Sequence, residues 1–248
     1  MLEFNKIYLM DVLDGLKQLS DNSIDAAVTS PPYNKLGLLK GKKQQGSDWT
    51  GYITYENFDD NMPEEEYQQW QIDILNEIQR VLKPTGSLFY NHKNRRYNKR
   101  EYSPYEWVGK SKLNLFQTIV WNRKLDVNNN SSFFQPVYEL IYWLNKDNKN
   151  TPTFYKKQVN EQKSIWTILP KYKLPHPAPF PEELVEQCIL AITKEGDVVL
   201  DPFMGIGTTA VVCKRLNRKY IGFDISEEYI KLAEENIEIG KIRKISEL

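Results

Sequence analysis

From Asp197 to Asp224 the sequence passes through an apolar strand (Asp197–Leu200), a turn holding Gly205 and Gly207, a helix (Thr208–Leu216) and a second apolar strand (Tyr220–Phe223) that ends on Asp224. Strand, glycine turn, helix and strand in this order build one βαβ-type unit, and parallel strands of that kind need helices over both faces of their sheet. The run therefore commits the fold to the α/β class.

The rest of the chain keeps the same alternation. Lys6–Met10 predicts a strand, Val12–Leu19 a short helix, and Asp25–Thr29 a strand that runs into Ser30-Pro31-Pro32-Tyr33. Lys35–Asp60 has little periodicity, carries Gly37, Gly41, Gly46 and Gly51, and is too long for an ordinary connection, so a functional loop is expected there. Pro63 opens a long helix whose acidic first turn, Glu64–Glu66, suits the positive end of the helix dipole, while Trp70, Ile74, Leu75, Ile78 and Leu82 recur at helical spacing. A turn at Lys83-Pro84-Thr85-Gly86 is expected to end it, with strands following at Ser87–Tyr90, Gln117–Trp121 and Tyr138–Leu144. Between Asn145 and Pro181 six prolines fall among lysines and asparagines, which predicts an insertion outside the main sheet. Order returns with a helix at Glu182–Ile192, and Ser226 reads as the N-cap of a last helix to Ile237. The alternation implies a doubly wound sheet in one large domain.

A chain of 248 residues, 40% of them hydrophobic, can bury the core of such a domain. Cys188 and Cys213 sit in apolar helical stretches without CxxC or Cys/His spacing, which argues against a metal site or disulfide and for a reducing compartment. The amino terminus lacks a basic region followed by an apolar stretch, and no apolar run reaches about 18 residues; the expectation is a soluble, cytoplasmic protein without membrane contact. The 33 basic and 33 acidic residues cancel, yet they are segregated. Every charge from Glu56 to Glu77 is acidic, whereas Lys93–Lys124 holds Lys93, Arg95, Arg96, Lys99, Arg100, Lys110, Lys112, Arg123 and Lys124 against Glu101 and Glu106. One face could be basic, and a phosphate backbone needs local positive potential, not a high overall pI. Ordinary solvated loops would look the same.

Two motifs carry chemistry. In Ser30-Pro31-Pro32-Tyr33 two successive prolines fix the backbone and remove two N–H donors just after a strand. An exocyclic amine of cytosine or adenine has its lone pair delocalised into the ring, and acceptors such as the Ser30 hydroxyl and the Pro31 carbonyl would draw on its hydrogens and favour the tetrahedral nitrogen that attacks a methyl group. Tyr33 can stack on a base that has left the duplex. The second motif is the glycine turn, where Gly205-x-Gly207-x-x-Ala210 with Asp224 about 20 residues on also satisfies a dinucleotide fingerprint. Spacing alone leaves a nicotinamide enzyme and a methyltransferase both open, although a nicotinamide enzyme gives Ser-Pro-Pro-Tyr no task.

Taken in order, Met10-Asp11-Val12-Leu13 with Leu16, Val28–Asn34, Val81–Ser87, Tyr138-Glu139-Leu140-Ile141, His176–Pro181, Asp201-Pro202-Phe203 with its glycines and Ile221–Asp224 carry a resemblance that runs nearly end to end. The chain resembles the β-class of S-adenosylmethionine-dependent DNA amino-methyltransferases, the cytosine-N4 and adenine-N6 enzymes of restriction-modification systems. The resemblance implies a Rossmann-like methyltransferase fold, a mixed, mostly parallel sheet with a reversed edge strand and helices on both faces. It also implies permuted motifs within a single domain (1–248): a catalytic half (1–144), a target-recognition insertion (145–175) and a cofactor-binding half (176–248).

By the same resemblance Ser30, Pro31, Pro32 and Tyr33 form the catalytic motif. Phe203, Gly205, Gly207, Thr208 and Thr209 form the S-adenosylmethionine loop shaped by Asp201, with Asp224 at the ribose and Asp11 near the adenine. Many relatives carry aspartate or asparagine where this chain has Ser30; serine after threonine looks most like the cytosine-N4 subgroup, so cytosine-N4 is favoured over adenine-N6. Double-stranded DNA is the implied partner, and Lys42, Lys43, Lys93, Arg95, Arg96 and Arg123 are the candidate DNA-binding residues: Lys35–Lys43 could close over the flipped base, and a loop at Asn91–Arg100 has the basic and aromatic content for phosphate contacts. A cognate restriction endonuclease and a homodimer are further implied partners. His176 is expected to position or pack, and His92 to lie on the surface. Two other readings stand beside this one: a catalytically silent DNA-binding partner in a restriction-modification assembly, and a methyltransferase acting on RNA or a protein amide.

Overall fold

The computed structural model describes residues 2–34, 62–124, 134, 136–170 and 180–243. The predicted loop at 35–60, with Lys42 and Lys43, lies outside the described residues, as does the segment holding His176. Ten strands and six helices are found among the described residues. Eight strands form one sheet in the order β1 (Lys6–Leu9), β10 (Lys219–Asp224), β9 (Val198–Asp201), β2 (Ile24–Thr29), β3 (Leu82–His92), β7 (Tyr138–Asn145), β6 (Asn114–Asn122), β8 (Ile165–Thr167). All neighbours are parallel except β7, which runs antiparallel to both β3 and β6. The sheet is thus mixed and mostly parallel, as expected, but its reversed strand is interior and not at the edge.

Alternation along the strands makes two cores. Ala27, Leu88, Tyr90, Tyr142 and Leu144 face α1 (Val12–Lys17), α2 (Glu64–Val81) and the short α3 (Tyr105–Val108). Their neighbours Ala26, Val28, Phe89, Ile141 and Trp143 face α4 (Glu182–Ile192) and α5 (Thr208–Arg215). The last helix, α6 (Glu227–Ile239), starts at Ser226, whose side chain accepts from Tyr229 N, and packs Tyr229, Leu232 and Ile237 around Val211 of α5. Its end at Gly240 is left-handed, φ 79°.

Three sequence expectations need correction. The Lys83–Gly86 turn is a bulge inside β3: Ile24 faces Leu82, and the next pair is Ala26 with Ser87. A Cβ on Gly86 would lie 2.9 Å from Asp25 O, so glycine is needed for this approach, while Lys83 Nζ reaches Asp25 Oδ1 at 2.6 Å. The insertion expected after Asn145 is not wholly outside the sheet, because Ile165–Thr167 adds the edge strand β8 beside Val120–Asn122. Gln187 of α4 also holds it, donating to Glu161 O at 2.6 Å and accepting from Asn160 N at 3.0 Å. The loop expected around Asn91–Arg100 is instead the end of β3 followed by a hairpin, β4 (Arg95–Tyr97) and β5 (Arg100–Tyr102), whose tip residues Asn98 and Lys99 both take positive φ.

Candidate active site

Thr29 ends β2 opposite Tyr90 of β3, and the chain leaves the sheet through Ser30, Pro31, Pro32 and Tyr33. Asn34 closes the turn at φ 51° and donates from its amide to Met62 O at 3.0 Å. The Pro32 carbonyl accepts from Tyr67 Oη at 2.7 Å. That leaves the Pro31 carbonyl without a hydrogen bond among the described residues, so the two adjacent carbonyls differ in their freedom to receive a ligand.

The direction of each hydrogen bond around Ser30 follows from what its partners can do. Asn91 Nδ2 donates to Leu140 O at 3.0 Å, which fixes Oδ1 as the end that faces the turn. Tyr33 Oη lies 2.9 Å from Asn91 Oδ1 and 3.2 Å from Glu139 Oε2, and both can only accept. Tyr33 must therefore donate. Ser30 Oγ lies 2.8 Å from Tyr33 Oη and also reaches Asn91 Oδ1 at 3.4 Å, so its own proton is directed at Tyr33 or Asn91 and its lone pairs are left for another donor. A hydroxyl held this way accepts from an amine and does not donate to it. Glu139 is buried, and its other oxygen takes Arg123 Nη1 at 2.7 Å.

Beneath Pro32 lies a second polar chain inside the apolar core. Trp107 Nε1 donates to Tyr90 Oη (3.0 Å), Tyr90 to Gln71 Oε1 (2.8 Å), and Gln71 Nε2 to Tyr67 Oη (3.0 Å). The Tyr67 proton then faces Pro32 O and, at 2.8 Å, His92 Nε2. His92 Nδ1 meets Lys93 O at 2.7 Å, and since a carbonyl only accepts, Nδ1 carries the hydrogen and Nε2 is free to receive one. His92 is fully buried, contrary to the surface position expected of it. Burial, followed by the charges of Arg95 and Lys93, holds its pKa well below the usual imidazole value, so the ring is neutral. Its ring also packs against Tyr33, with centroids 4.4 Å apart.

The glycine turn sits beside this site because β9 is the neighbour of β2. Asp201 is buried and accepts from Thr29 Oγ1 (2.8 Å) and Phe203 N (3.1 Å) on one oxygen and from Thr209 Oγ1 (2.6 Å) on the other. Burial pushes its pKa up to about 7 against the lowering effect of these donors. Gly205 (φ 52°) and Gly207 (φ 85°) are left-handed, and a Cβ on Gly207 would meet Ala233 Cβ of α6 at 2.8 Å. Gly207 is the N-cap of α5, so Thr208 and Thr209 occupy its first turn. Phe203 stacks edge-on against Trp70, centroids 5.7 Å apart. Asp224 Oδ2 accepts from Gly205 N (2.8 Å) and Oδ1 from Ser226 N (2.9 Å), which ties the next strand to the loop, and burial raises its pKa. Asp11 caps α1 by accepting from Leu13 N at 2.8 Å. With Leu9 paired to Asp224, Asp11 and Asp224 stand at the carboxyl ends of adjacent strands.

The expected phosphate contacts divide. Arg95 is a correction: it is buried, paired with Glu64 at 2.7 and 2.9 Å, and lies 4.6 Å from the Tyr67 ring centroid, so it braces the core and is not displayed to a ligand. Arg96 is exposed on β4, and Lys93 is exposed with its Nζ 5.4 Å from the Tyr33 ring centroid. Arg123 is committed to Glu139. Sequence reasoning missed Asn91, Tyr67 and Glu139 as site residues. For Glu139 a signal existed, since it is the one charged residue in the strand Tyr138–Leu144.

The family model described as DNA methylase matches residues 24–235. The type II methyltransferase M.BglII of Bacillus subtilis is 32% identical over 266 residues, covering 92% of this chain and 68% of the relative. Among solved structures, the cytosine-N4-specific PvuII DNA methyltransferase superposes with TM-score 0.74 at 21% identity, covering 95% of this chain and 90% of its own. The M1.HpyAVI–SAM complex does so with TM-score 0.63 at 22% identity, covering 93% and 98%. No helix among the described residues is long and apolar enough to cross a membrane. The Ser-Pro-Pro-Tyr turn and the glycine turn lie on neighbouring strands of a sheet shared with these proteins, and the family match spans both: the chain belongs to the N6/N4 family of DNA methylases.

Proposed function

We propose that the chain moves a methyl group from S-adenosylmethionine to the exocyclic amine of a base flipped out of duplex DNA, cytosine-N4 in preference to adenine-N6. The observation that carries this reading is the placement of Ser30, whose proton is directed at Tyr33 or Asn91, next to Pro31, whose carbonyl makes no hydrogen bond among the described residues. Two acceptors on consecutive residues suit the two N–H donors of an amine. The neutral hydroxyl in place of a carboxylate favours cytosine, as the motif's resemblance suggests.

The residues around the glycine turn fit the methyl donor. The first turn of α5 presents Thr208 and Thr209 at its positive end, which suits a carboxylate, and Asp224 and Asp11 offer acceptors for hydroxyl and amine groups. The left-handed glycines shape the turn that would receive the donor. When bound, the donor supplies an electrophilic methyl group; the protein holds the turn, orients the amine and draws on its hydrogens. Asp224→Ala should weaken donor binding, and unchanged affinity would argue against that role.

For DNA, the reading assigns Lys93, Arg96 and the β4–β5 hairpin, with Lys42 and Lys43, to phosphates, and the 145–175 segment to base recognition. A restriction endonuclease of the same recognition sequence is the partner in this reading, and protection of methylated DNA from cleavage tests it. Mass analysis of nucleosides from DNA incubated with the protein and labelled donor tests the whole: N4-methylcytosine is expected. N6-methyladenine would reassign the base, and donor binding without label transfer to any DNA would refute the enzyme.

A further inference from the structure

Glu139 occupies a position that amine binding alone does not require. It is a buried carboxylate on β7, held on one side by Arg123 Nη1 at 2.7 Å, and its second oxygen faces the Tyr33 hydroxyl at 3.2 Å. Ser30 Oγ reaches Asn91 Oδ1 at 3.4 Å and Tyr33 Oη at 2.8 Å, and the arrangement that gives the acceptors beyond Tyr33 a proton has Ser30 giving to Tyr33 and Tyr33 giving toward Asn91 and Glu139. Of the two acceptors at the end, an amide cannot take up a proton and a carboxylate can. Resting on the methyl-transfer reading above, we propose that Glu139 is the terminal acceptor for the proton the target amine loses, delivered through the hydroxyls of Ser30 and Tyr33.

The balance is complete. The amine nitrogen forms its bond to the methyl carbon as the carbon–sulfur bond of the sulfonium donor breaks, and the electron pair of that bond stays on sulfur as a neutral thioether. The nitrogen, now cationic, gives one hydrogen to Ser30 Oγ; Ser30 passes its own proton to Tyr33 Oη, and Tyr33 passes its own to Glu139 Oε2. Each hydroxyl gains and loses one proton, the positive charge of the sulfonium and the negative charge of the carboxylate disappear together, and no oxidant or metal is consumed. The carboxylic acid releases its proton to water after the product leaves. Glu139 does not touch the substrate; it acts through Tyr33. Among the described residues Arg123 Nη1 pairs with this carboxylate at 2.7 Å and Lys93 Nζ lies 5.4 Å from the Tyr33 ring centroid.

The test is single-turnover methylation of a duplex that the wild-type enzyme modifies, with donor and DNA affinities measured in parallel. Glu139→Gln keeps an acceptor for Tyr33 and cannot accept a proton. It should bind donor and DNA with wild-type affinity, transfer the methyl group roughly 100-fold more slowly, and lose most of the slowing that wild type shows in heavy water. Wild-type rate with an unchanged heavy-water effect overturns the proposal. If Glu139→Gln fails to bind donor because Arg123 is left unpaired, Tyr33→Phe decides: it removes one hydroxyl, should show the same rate loss, and at wild-type rate would also overturn the relay. A wild-type protein that methylates no DNA removes the methyl-transfer reading itself, an outcome distinct from either variant result.

Discussion

The Thr29 hydroxyl donates to Asp201 Oδ1 at 2.8 Å, joining two residues 172 positions apart and tying the end of the Ser-Pro-Pro-Tyr strand to the start of the glycine turn. Asp201 is buried, so each donor it has offsets part of the cost of holding a carboxylate out of water. Thr29→Val keeps the shape and removes the donor. It should lower stability by about 1–3 kcal/mol, raise the Asp201 pKa further, and weaken binding of the methyl donor; urea unfolding and donor titration check both.

The pH dependence of stability should show two opposed contributions. Asp201 has its pKa raised from 3.8 to about 7, so the folded state binds its proton more tightly than the unfolded chain does. Its contribution is full below pH 4 and is lost as pH rises through 7. His92 is depressed below its ordinary 6.5, so its contribution is present above that value and is lost as pH falls through its folded pKa. Asp201→Asn should remove the decline between pH 4 and 7, and His92→Gln should flatten the acid side. Urea midpoints across pH 4–8 for wild type and both variants measure this; parallel curves would contradict it.

Ser30→Ala removes the hydroxyl that Tyr33 and Asn91 hold. Donor affinity should hold, and turnover should fall roughly 10- to 100-fold, the size of one hydrogen bond formed mainly near the transition state. Equilibrium binding and single-turnover rates separate the two effects. A wild-type kcat would contradict the assignment.

Arg95 and Arg96 are sequence neighbours with opposite expected phenotypes. Arg95→Ala leaves Glu64 partly buried without its two charge-assisted bonds and should cost roughly 3–5 kcal/mol. Arg96 is exposed, so Arg96→Ala should leave stability within about 0.5 kcal/mol, weaken DNA binding across sequences and reduce its salt dependence. Melting curves and salt titrations of DNA affinity distinguish the pair.

Gly207→Ala should destabilise for two separable reasons, a φ of 85° and a Cβ 2.8 Å from Ala233 Cβ. Pairing it with Ala233→Gly removes the Cβ–Cβ contact and leaves the Ala233 Cα at 3.0 Å together with backbone strain of about 1–2 kcal/mol. The double variant should thus lose less stability than the sum of the two single variants. Additive losses would show that the contact is unimportant.

Legibility followed from where the determining forces lie. The span of α4, Glu182–Ile192, was readable to the residue because apolar periodicity and the preceding proline act within the segment itself. The strand, glycine turn, helix and strand from 197 to 224 were readable for the same reason. The three-residue strand β8 was not, since Ile165–Thr167 has no alternation of its own and exists because β6 offers an edge. His92 could not be placed from a polar letter in a basic stretch; the partners that bury it, Tyr67, Trp107 and Tyr33, come from three other elements. Asn91 and Glu139 likewise meet Tyr33 only because β3 and β7 pair in one register, with Asn91 opposite Ile141 and His92 opposite Leu140. Motif spacing carries what a backbone turn demands, and tertiary register carries the rest.

The order of strands also has a bearing on synthesis. For a ribosome working from the amino terminus, early strands wait for late ones: β1 has β10 as its neighbour in the sheet, and β2 is flanked on one side by β9. Such distant pairings form late, because the intervening chain must exist before the loop can close. Until residue 201 has emerged, Thr29 has no carboxylate to bond, so a nascent chain or an amino-terminal fragment carries the Ser-Pro-Pro-Tyr letters without the contact that joins them to the glycine turn. The assembled site is a property of the finished chain.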